Sequence, residues 1–257
     1  MDIELNSGEA LLEINEDLRL IQKDAGLKFG TDSYLLSAFV KKNLHGDACD
    51  LGAGTGVVSL FAAARCSFDS VHAVEIQKEY AVLAERNAAL NSLTDKIKVH
   101  SADVREISDI LPRETFSAVF TNPPYMASGS GKDSKDGEMN AARREENGTL
   151  DDFVRAAAYL LKYGGLMWTV IRPERTADLM YSLKSNGLEP KKLITVYPDA
   201  KSAPCLILTE AKRGGSPSLV TSRPLIIYED GPDRKYTKDM SRVYDEFSLS
   251  FLFDKKK

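Results

Sequence analysis

Cysteine is scarce in this chain. Cys49, Cys66 and Cys205 stand far apart and form no C-x-x-C pair. That spacing argues against a disulfide frame or a cysteine zinc site and leaves three small hydrophobic side chains suited to a reducing compartment. Histidine is equally sparse. His45, His72 and His100 come from different element ends with no H-x₃-H pattern, so no metal is expected and structural or surface roles are. No Ser-His-Asp or Cys-His arrangement is evident, and Gly129-Ser-Gly131-Lys132 lacks the spacing of a phosphate loop. No apolar run approaches the ~18 residues of a membrane span. Met1-Asp-Ile-Glu has no basic segment leading into an apolar one, so no secretory leader is read and a cytoplasmic location is expected. Positive charge is not in surplus either: the net charge is −4. Residues 1–150 carry 16 basic and 24 acidic side chains and residues 151–257 carry 18 and 14, which permits a basic face on the later part and nothing stronger.

What is present is a 257-residue chain that is 43% hydrophobic, enough for one large domain or one domain with a small appendage. Residues 11–22 alternate apolar and polar around Asn15-Glu-Asp17, a hairpin signal. Thr31 or Asp32 then caps a helix expected over Ser33–Asn43. Strands are expected at Asp47–Leu51, Ser70–Glu75, Ile97–Ser101 and Phe116–Thr121, with helices at Val57–Cys66 and Lys78–Asn91. Further on come a helix at Leu150–Lys162, a Gly164-Gly165 stop, a strand at Leu166–Ile171 and a helix at Glu174–Asn186. Strands at Lys191–Val196 and Cys205–Glu210 follow without an intervening helix, and Val220–Tyr228 reads as an edge strand. Such alternation means a mostly parallel sheet with helices on both faces and an antiparallel hairpin at one edge. Ala127–Thr149 is aperiodic and polar, and reads as a mobile lid over a substrate.

Asn122-Pro-Pro-Tyr125 ends the apolar run Phe116–Thr121. Two prolines supply no backbone N–H and fix φ, so the strand stops in a stiff corner. That corner presents an amide, a pre-set carbonyl and an aromatic ring at the strand's carboxyl end, where α/β sheets bind ligands. The set suits a planar group bearing an NH₂, although a rigid turn alone would read the same. Asp50-Leu-Gly52-Ala-Gly54-Thr-Gly56 falls at a strand-to-helix turn. A dinucleotide fingerprint wants G-x-G-x-x-G, and here position 57 is Val. Asp50 would also repel pyrophosphate while suiting a ligand with a positively charged end, such as S-adenosylmethionine. Glu75 ends the next strand, where a carboxylate accepts from both ribose hydroxyls. Asp103 follows the third, placed to accept from an adenine amine. Three acids at three successive strand ends beside a glycine turn describe a ligand crevice.

Together these motifs resemble the class I S-adenosylmethionine-dependent methyltransferases that act on amino groups. Phe29-Gly-Thr-Asp32 with Leu35-Leu36 is similar to the segment that covers the methionine end of the cofactor in that family. Ala142-Arg-Arg-Glu145-Glu, Gly148-Thr-Leu-Asp-Asp152, Tyr236-Thr-Lys and Val243-Tyr244 resemble the bacterial tRNA adenine-N6 methyltransferases, and among them the group that modifies the adenine beside the anticodon of a valine tRNA. The resemblance implies a Rossmann-like α/β fold with a seven-stranded, mostly parallel sheet. It divides the chain into an N-terminal hairpin extension, 1–28, and a methyltransferase domain, 29–257. It implies S-adenosylmethionine held by Gly30, Thr31, Asp50, Gly52, Gly54, Gly56, Glu75, Ile76, Asp103, Val104 and Asn122. Asn122, Pro123, Pro124 and Tyr125 would carry the transfer. Tyr125 would stack on the base, and Lys132, Arg143 and Arg144 would meet RNA phosphates, with Lys135, Lys191, Lys192 and Lys201 as further candidates. The oligomeric state stays open, a monomer being one option.

Rival readings share parts of this pattern. A glutamine-amide methyltransferase acting on a protein such as a release factor uses the same corner, but usually has a helical domain before it, and about 28 residues precede Phe29. A DNA enzyme would need an added recognition domain. A small-molecule methyltransferase, a cofactor-binding accessory module and a nicotinamide dehydrogenase complete the alternatives.

Overall fold

A computed structural model describes residues 5–25, 28–124 and 148–254 of the chain. The first element is the expected hairpin, β1 (Glu9–Glu13) paired antiparallel with β2 (Arg19–Lys23). Asn15 Oδ1 accepts from the Asp17 and Leu18 amides and closes the turn. Leu18 and Leu20 reach the main core, and Ile21 packs with Tyr80 and Leu83.

The body is a single mixed sheet with helices on both faces. In chain order it comprises α1 (Thr31–Phe39), β3 (Ala48–Leu51), α2 (Val57–Arg65), β4 (Val71–Glu75), α3 (Lys78–Leu90), β5 (Ile97–Ser101), α4 (Ile107–Ile110) and β6 (Phe116–Thr121). It continues with α5 (Leu150–Leu160), β7 (Leu161–Ile171), α6 (Thr176–Ser185), β8 (Leu188–Tyr197), β9 (Leu206–Arg213), β10 (Val220–Thr221), β11 (Leu225–Ile226) and α7 (Lys238–Glu246). Seven long strands run β8-β9-β7-β6-β3-β4-β5, and the two-residue β10 and β11 both pair with β8. Only β9 runs against its neighbours. The chain leaves β3 first toward β4 and later returns on its other side as β6, so the carboxyl end of β3 is a switch point.

Alternation along the strands builds two cores. Ala118 and Phe120 of β6 and Trp168 and Val170 of β7 face α1, α2 and α7. Val119 and Met167 face the opposite side with α4, α5 and α6. Strands buried on both faces read as continuous apolar runs, as Phe116–Thr121 does.

Several boundaries differ from expectation. Helix α1 starts two residues early and ends at Phe39, followed by Val40 in extended backbone; Gly30 is its N-cap, not Thr31 or Asp32. Gly164-Gly165 does not stop a segment. Helix α5 ends at Leu160, and β7 runs through the glycines, its register shifting so that Phe116 meets Leu161 and Ala118 meets Leu166. A bulge absorbs the extra residues, with Gly164 at φ +82°. Helix α6 is preceded by a 3-10 turn at Pro173–Arg175. The expected strand at Val220–Tyr228 is broken between Thr221 and Leu225, where Pro224 offers no donor. The short α4 and the amphipathic α7, which buries Met240 and Val243, were not anticipated. The expected lid at Ala127–Thr149 lies, up to residue 147, outside the described residues.

Asn87 fastens the hairpin to the body. Fully buried on α3, it accepts from the Ile21 amide at 2.6 Å and donates to the carbonyls of Ile21 and Thr55 at 3.0 and 2.9 Å. Removing it strands three buried backbone groups. Asn87→Ala is expected to lower unfolding stability by roughly 3 kcal/mol, measured by urea denaturation against wild type.

Candidate functional site

The site is built where β3 and β6 end side by side. Leu51 is in register with Thr121, so Gly52 and Asn122 leave the sheet as neighbours. The Thr121 hydroxyl donates to the Leu51 carbonyl at 2.7 Å and ties the two strand ends together. On one side stands the glycine turn and on the other the proline corner.

The glycine turn depends on backbone that other residues resist. Gly52, Gly54 and Gly56 all have positive φ, at +72°, +54° and +80°. A Cβ at Gly56 would lie 3.0 Å from the Ala84 side chain, so α3 packs against the turn only because position 56 has none. The Gly52 and Ala53 amides donate to the Val74 carbonyl. The Gly54 amide donates to Glu75 Oε2 at 2.8 Å, and the Gln77 amide to Oε1 at the same distance. Glu75, 5% exposed, is thus fixed by backbone donors on each oxygen, while burial raises its pKa above the ordinary carboxylate value. Each oxygen keeps acceptor capacity for a ligand hydroxyl.

Asp50 lies beneath the turn. It is 2% exposed and accepts from the Ser59 hydroxyl of α2 at 2.7 Å. Burial pushes its pKa up to about 7, against the pull of Ser59 and with a push from Glu75. Asp103 follows β5 and caps the next turn, accepting from the Arg105 amide. The Arg105 guanidinium is paired with it and holds the carboxyl below the usual range.

At the proline corner the Asn122 amide donates through Nδ2 to Asp32 Oδ2 at 3.0 Å. Its Oδ1 is buried and has no hydrogen-bond partner among the described residues. Five other buried side-chain atoms share this condition, all within β6, β7 and β9, and Asn122 Oδ1 is the one that stands beyond a strand's carboxyl end, beside the glycine turn. Pro123 is buried and Pro124 half-buried behind it.

Gly30, Thr31, Asp50, Gly52, Gly54, Gly56, Glu75, Ile76, Asp103, Val104 and Asn122 therefore come from the sheet's carboxyl end and from the start of α1, which the Asn122 bond joins to it. Tyr125, Lys132, Lys135, Arg143 and Arg144 lie outside the described residues. Lys191 is bound to Ser216 and Ser218, Lys192 lies over the Phe253 ring and Lys201 pairs with Asp230, all at the β8 edge. His72 and His100 stack on each other, away from the glycine turn, and burial lowers the pKa of His72 to about 4.

Sequence reasoning missed Ser59, Asn87 and the contact between Asp32 and Asn122. Ser59 was visible as the one hydroxyl in the otherwise apolar stretch Val57–Ala64. Asn87 was visible as an amide on the face that carries Tyr80 and Ala84. No local signal links positions 90 residues apart.

Four acidic side chains, those of Asp32, Asp50, Glu75 and Asp103, gather at this end, Asp103 paired with Arg105 and Asp32 bonded to the Asn122 amide. Such a field fits a ligand that carries positive charge and hydroxyls and opposes a pyrophosphate. Residues 25–185 match the methyltransferase small domain family. The chain is similar to the tRNA1(Val) (adenine(37)-N6)-methyltransferase of Pedobacter heparinus, with 29% identity over 181 residues, 69% of this chain and 74% of that protein. It is similar to the protein of the same name from Dickeya chrysanthemi at 27% identity, covering 87% of this chain and 88% of the relative. Among solved structures, a predicted O-methyltransferase from Agrobacterium tumefaciens superposes with a TM-score of 0.69 at 25% identity, over 85% of this chain and 97% of that one.

Asp50 makes stability depend on pH. Its folded pKa of about 7 lies above its ordinary value of 3.8, so the folded chain holds the proton more tightly. Its contribution is intact below pH ~4 and is lost as pH rises toward ~7. Asp50→Asn, which keeps an acceptor for Ser59, is expected to gain on wild type across that window, by on the order of 2–4 kcal/mol at pH 7.5 relative to pH 4.5. Urea denaturation of both proteins at the two pH values measures it.

Proposed function

The chain belongs to the methyltransferase small domain family, and from that premise we propose that it methylates the exocyclic amine of an adenine in tRNA, beside the anticodon of a valine tRNA, using S-adenosylmethionine. The observation that carries this reading is the buried, unpartnered Oδ1 of Asn122 at the switch point. The relatives' activity supports the choice of substrate. A tRNA substrate fits a reaction in the cytoplasm.

The residues present fit the cofactor. Glu75 would hold ribose hydroxyls, Asp103 an adenine amine flanked by Ile76 and Val104, and Gly30 and Thr31 the methionine end. The backbone of Gly52, Gly54 and Gly56 would line the middle, over the buried Asp50. When bound, S-adenosylmethionine supplies an electrophilic methyl group on a sulfonium.

The rest falls to Asn122 and its corner. An adenine N6 is a poor nucleophile because its lone pair delocalises into the ring. Asn122 Oδ1 and the Pro123 carbonyl would accept hydrogen bonds from its two N–H groups and favour a pyramidal nitrogen with its lone pair free to attack. Holding reactants in line is most of the catalysis and can supply ~7–11 kcal/mol. The amine gains positive charge as it reacts, so fixed acceptor dipoles stabilise the transition state more than the ground state. The methylated nitrogen is acidic enough to lose its proton to water, so no strong base is required. Tyr125 would stack on the extruded base, worth ~1–3 kcal/mol, and Lys132, Arg143 and Arg144 would meet phosphates.

Asn122→Ala is expected to cut methyl transfer to a valine tRNA transcript by about 10²–10³-fold while leaving cofactor affinity nearly unchanged. Transfer is measured by nucleoside mass spectrometry and binding by calorimetry. Undiminished transfer would reject the role given to Asn122, and methylation of a protein glutamine in place of any nucleoside would reject the substrate.

A further inference from the structure

We infer that Asp32 is a positioning residue for this transfer: it fixes which end of the Asn122 amide meets the amine and strengthens that end as an acceptor. The inference rests on Asn122 acting as the acceptor described above.

A carboxamide is nearly symmetric in shape. Turning it end for end exchanges a carbonyl oxygen for an NH₂ at little steric cost. Turned the wrong way, Asn122 would aim its own N–H groups at an amine that also donates. Its oxygen must therefore be held toward the substrate by something outside the amide itself.

Asp32 does this. Its Oδ2 stands 3.0 Å from Asn122 Nδ2, and an ionised carboxylate accepts but never donates. The NH₂ end is thus held against α1, and Oδ1 is left at the other end without a partner. The carboxylate is itself held. Its Oδ1 accepts from the Ser33 amide at 2.8 Å, in the first turn of α1, where negative charge is favoured. A Cβ on Gly30 would come within 2.8 Å of that same oxygen, so a glycine there leaves room for this placement. Leu35, Leu36 and Phe39 anchor α1 in the core, so the carboxylate projects from a rigid element.

Charge follows geometry. Donation from Nδ2 to a carboxylate draws amide electron density toward Oδ1, as coupled hydrogen bonds polarise one another. Oδ1 then becomes a better acceptor where the amine turns cationic, and the fixed negative charge of Asp32 acts in the same direction. Helix capping alone would not need this contact, because Asp32 is not the N-cap of α1.

The test uses the full chain, S-adenosylmethionine and a valine tRNA transcript, with Asp32→Ala, Asp32→Asn, Asn122→Ala and the Asp32→Ala/Asn122→Ala double variant. Asp32→Ala is expected to lower kcat by about 10–100-fold with KM for both substrates nearly unchanged. Asp32→Asn, which accepts or donates equally well, is expected to fall between Asp32→Ala and wild type. In the double variant Asp32→Ala should add nothing to the loss caused by Asn122→Ala. Losses that multiply, or a raised cofactor KM with kcat kept, would overturn the inference, since either means Asp32 acts apart from Asn122. Should Asp32→Ala fail to fold, Asp32→Asn at a melting temperature matching wild type decides alone: full kcat overturns the inference and a reduced kcat supports it. If Asn122→Ala abolishes transfer while both Asp32 variants keep it, only the Asp32 inference falls. If Asn122→Ala transfers normally, the reading of the site falls with it.

Discussion

The parallel pairing of β3 with β6 is the constraint on which the site depends. It brings residues near 52 and residues near 122 to one place. The Leu51 carbonyl and the Thr121 hydroxyl close that junction in a fully buried position. Beyond it the two chains diverge by chemistry. After β3, glycines allow positive φ and the backbone curls over into α2. After β6, prolines forbid both a further ladder bond and a relaxed turn. A crevice results where a glycine turn and a proline-stiffened corner leave neighbouring strand ends side by side.

Ionisable groups at that crevice are held against their solvation preference. Asp50 and Glu75 are both buried, and burial raises the pKa of each. Among the described residues the contacts that compensate them come from dipoles, among them the Ser59 hydroxyl, the Gly54 amide and the Gln77 amide. A lysine in their place would satisfy the carboxylates permanently and cancel the field that a cationic ligand would meet. Dipoles stabilise the charge only in part, so the site keeps a negative potential. Asp103 differs because Arg105 already pairs with it.

Much of this was legible in the sequence, for a definite reason. Asp50–Gly56, Glu75, Asp103 and Asn122-Pro-Pro-Tyr125 are local patterns at strand ends, and a parallel sheet brings successive strand ends together whatever the details of packing. The strands themselves were readable because those buried on two faces are apolar throughout. What escaped needed a third dimension. Asp32 reads as a helix cap until α1 is laid against β6, and it then proves to be a partner for Asn122. Gly164-Gly165 reads as a stop, yet the sheet continues through it because a bulge takes up the surplus residues. Helix α7 carries only two buried apolar residues, Met240 and Val243, too few for a clear helical period.

The two halves of the crevice are made rigid by different means, and this bears on how they can evolve and act. The glycine turn of the cofactor half is backbone, braced from behind by Asn87, which joins the Thr55 carbonyl to Ile21 of the hairpin. Backbone cannot be retuned by a single side-chain change, so that half suits a ligand that never varies. In the proposed reaction the substrate half would rest on one side chain, Asn122, whose amide donates to a carboxylate on another element. A single acceptor aimed by a neighbour serves any flat NH₂-bearing group, whether a nucleobase or an amide. Discrimination among such groups must therefore arise outside the acceptor, in the surfaces that bring a base and not a side chain to it. The chemistry belongs to the strand ends, and the choice of macromolecule belongs to what surrounds them.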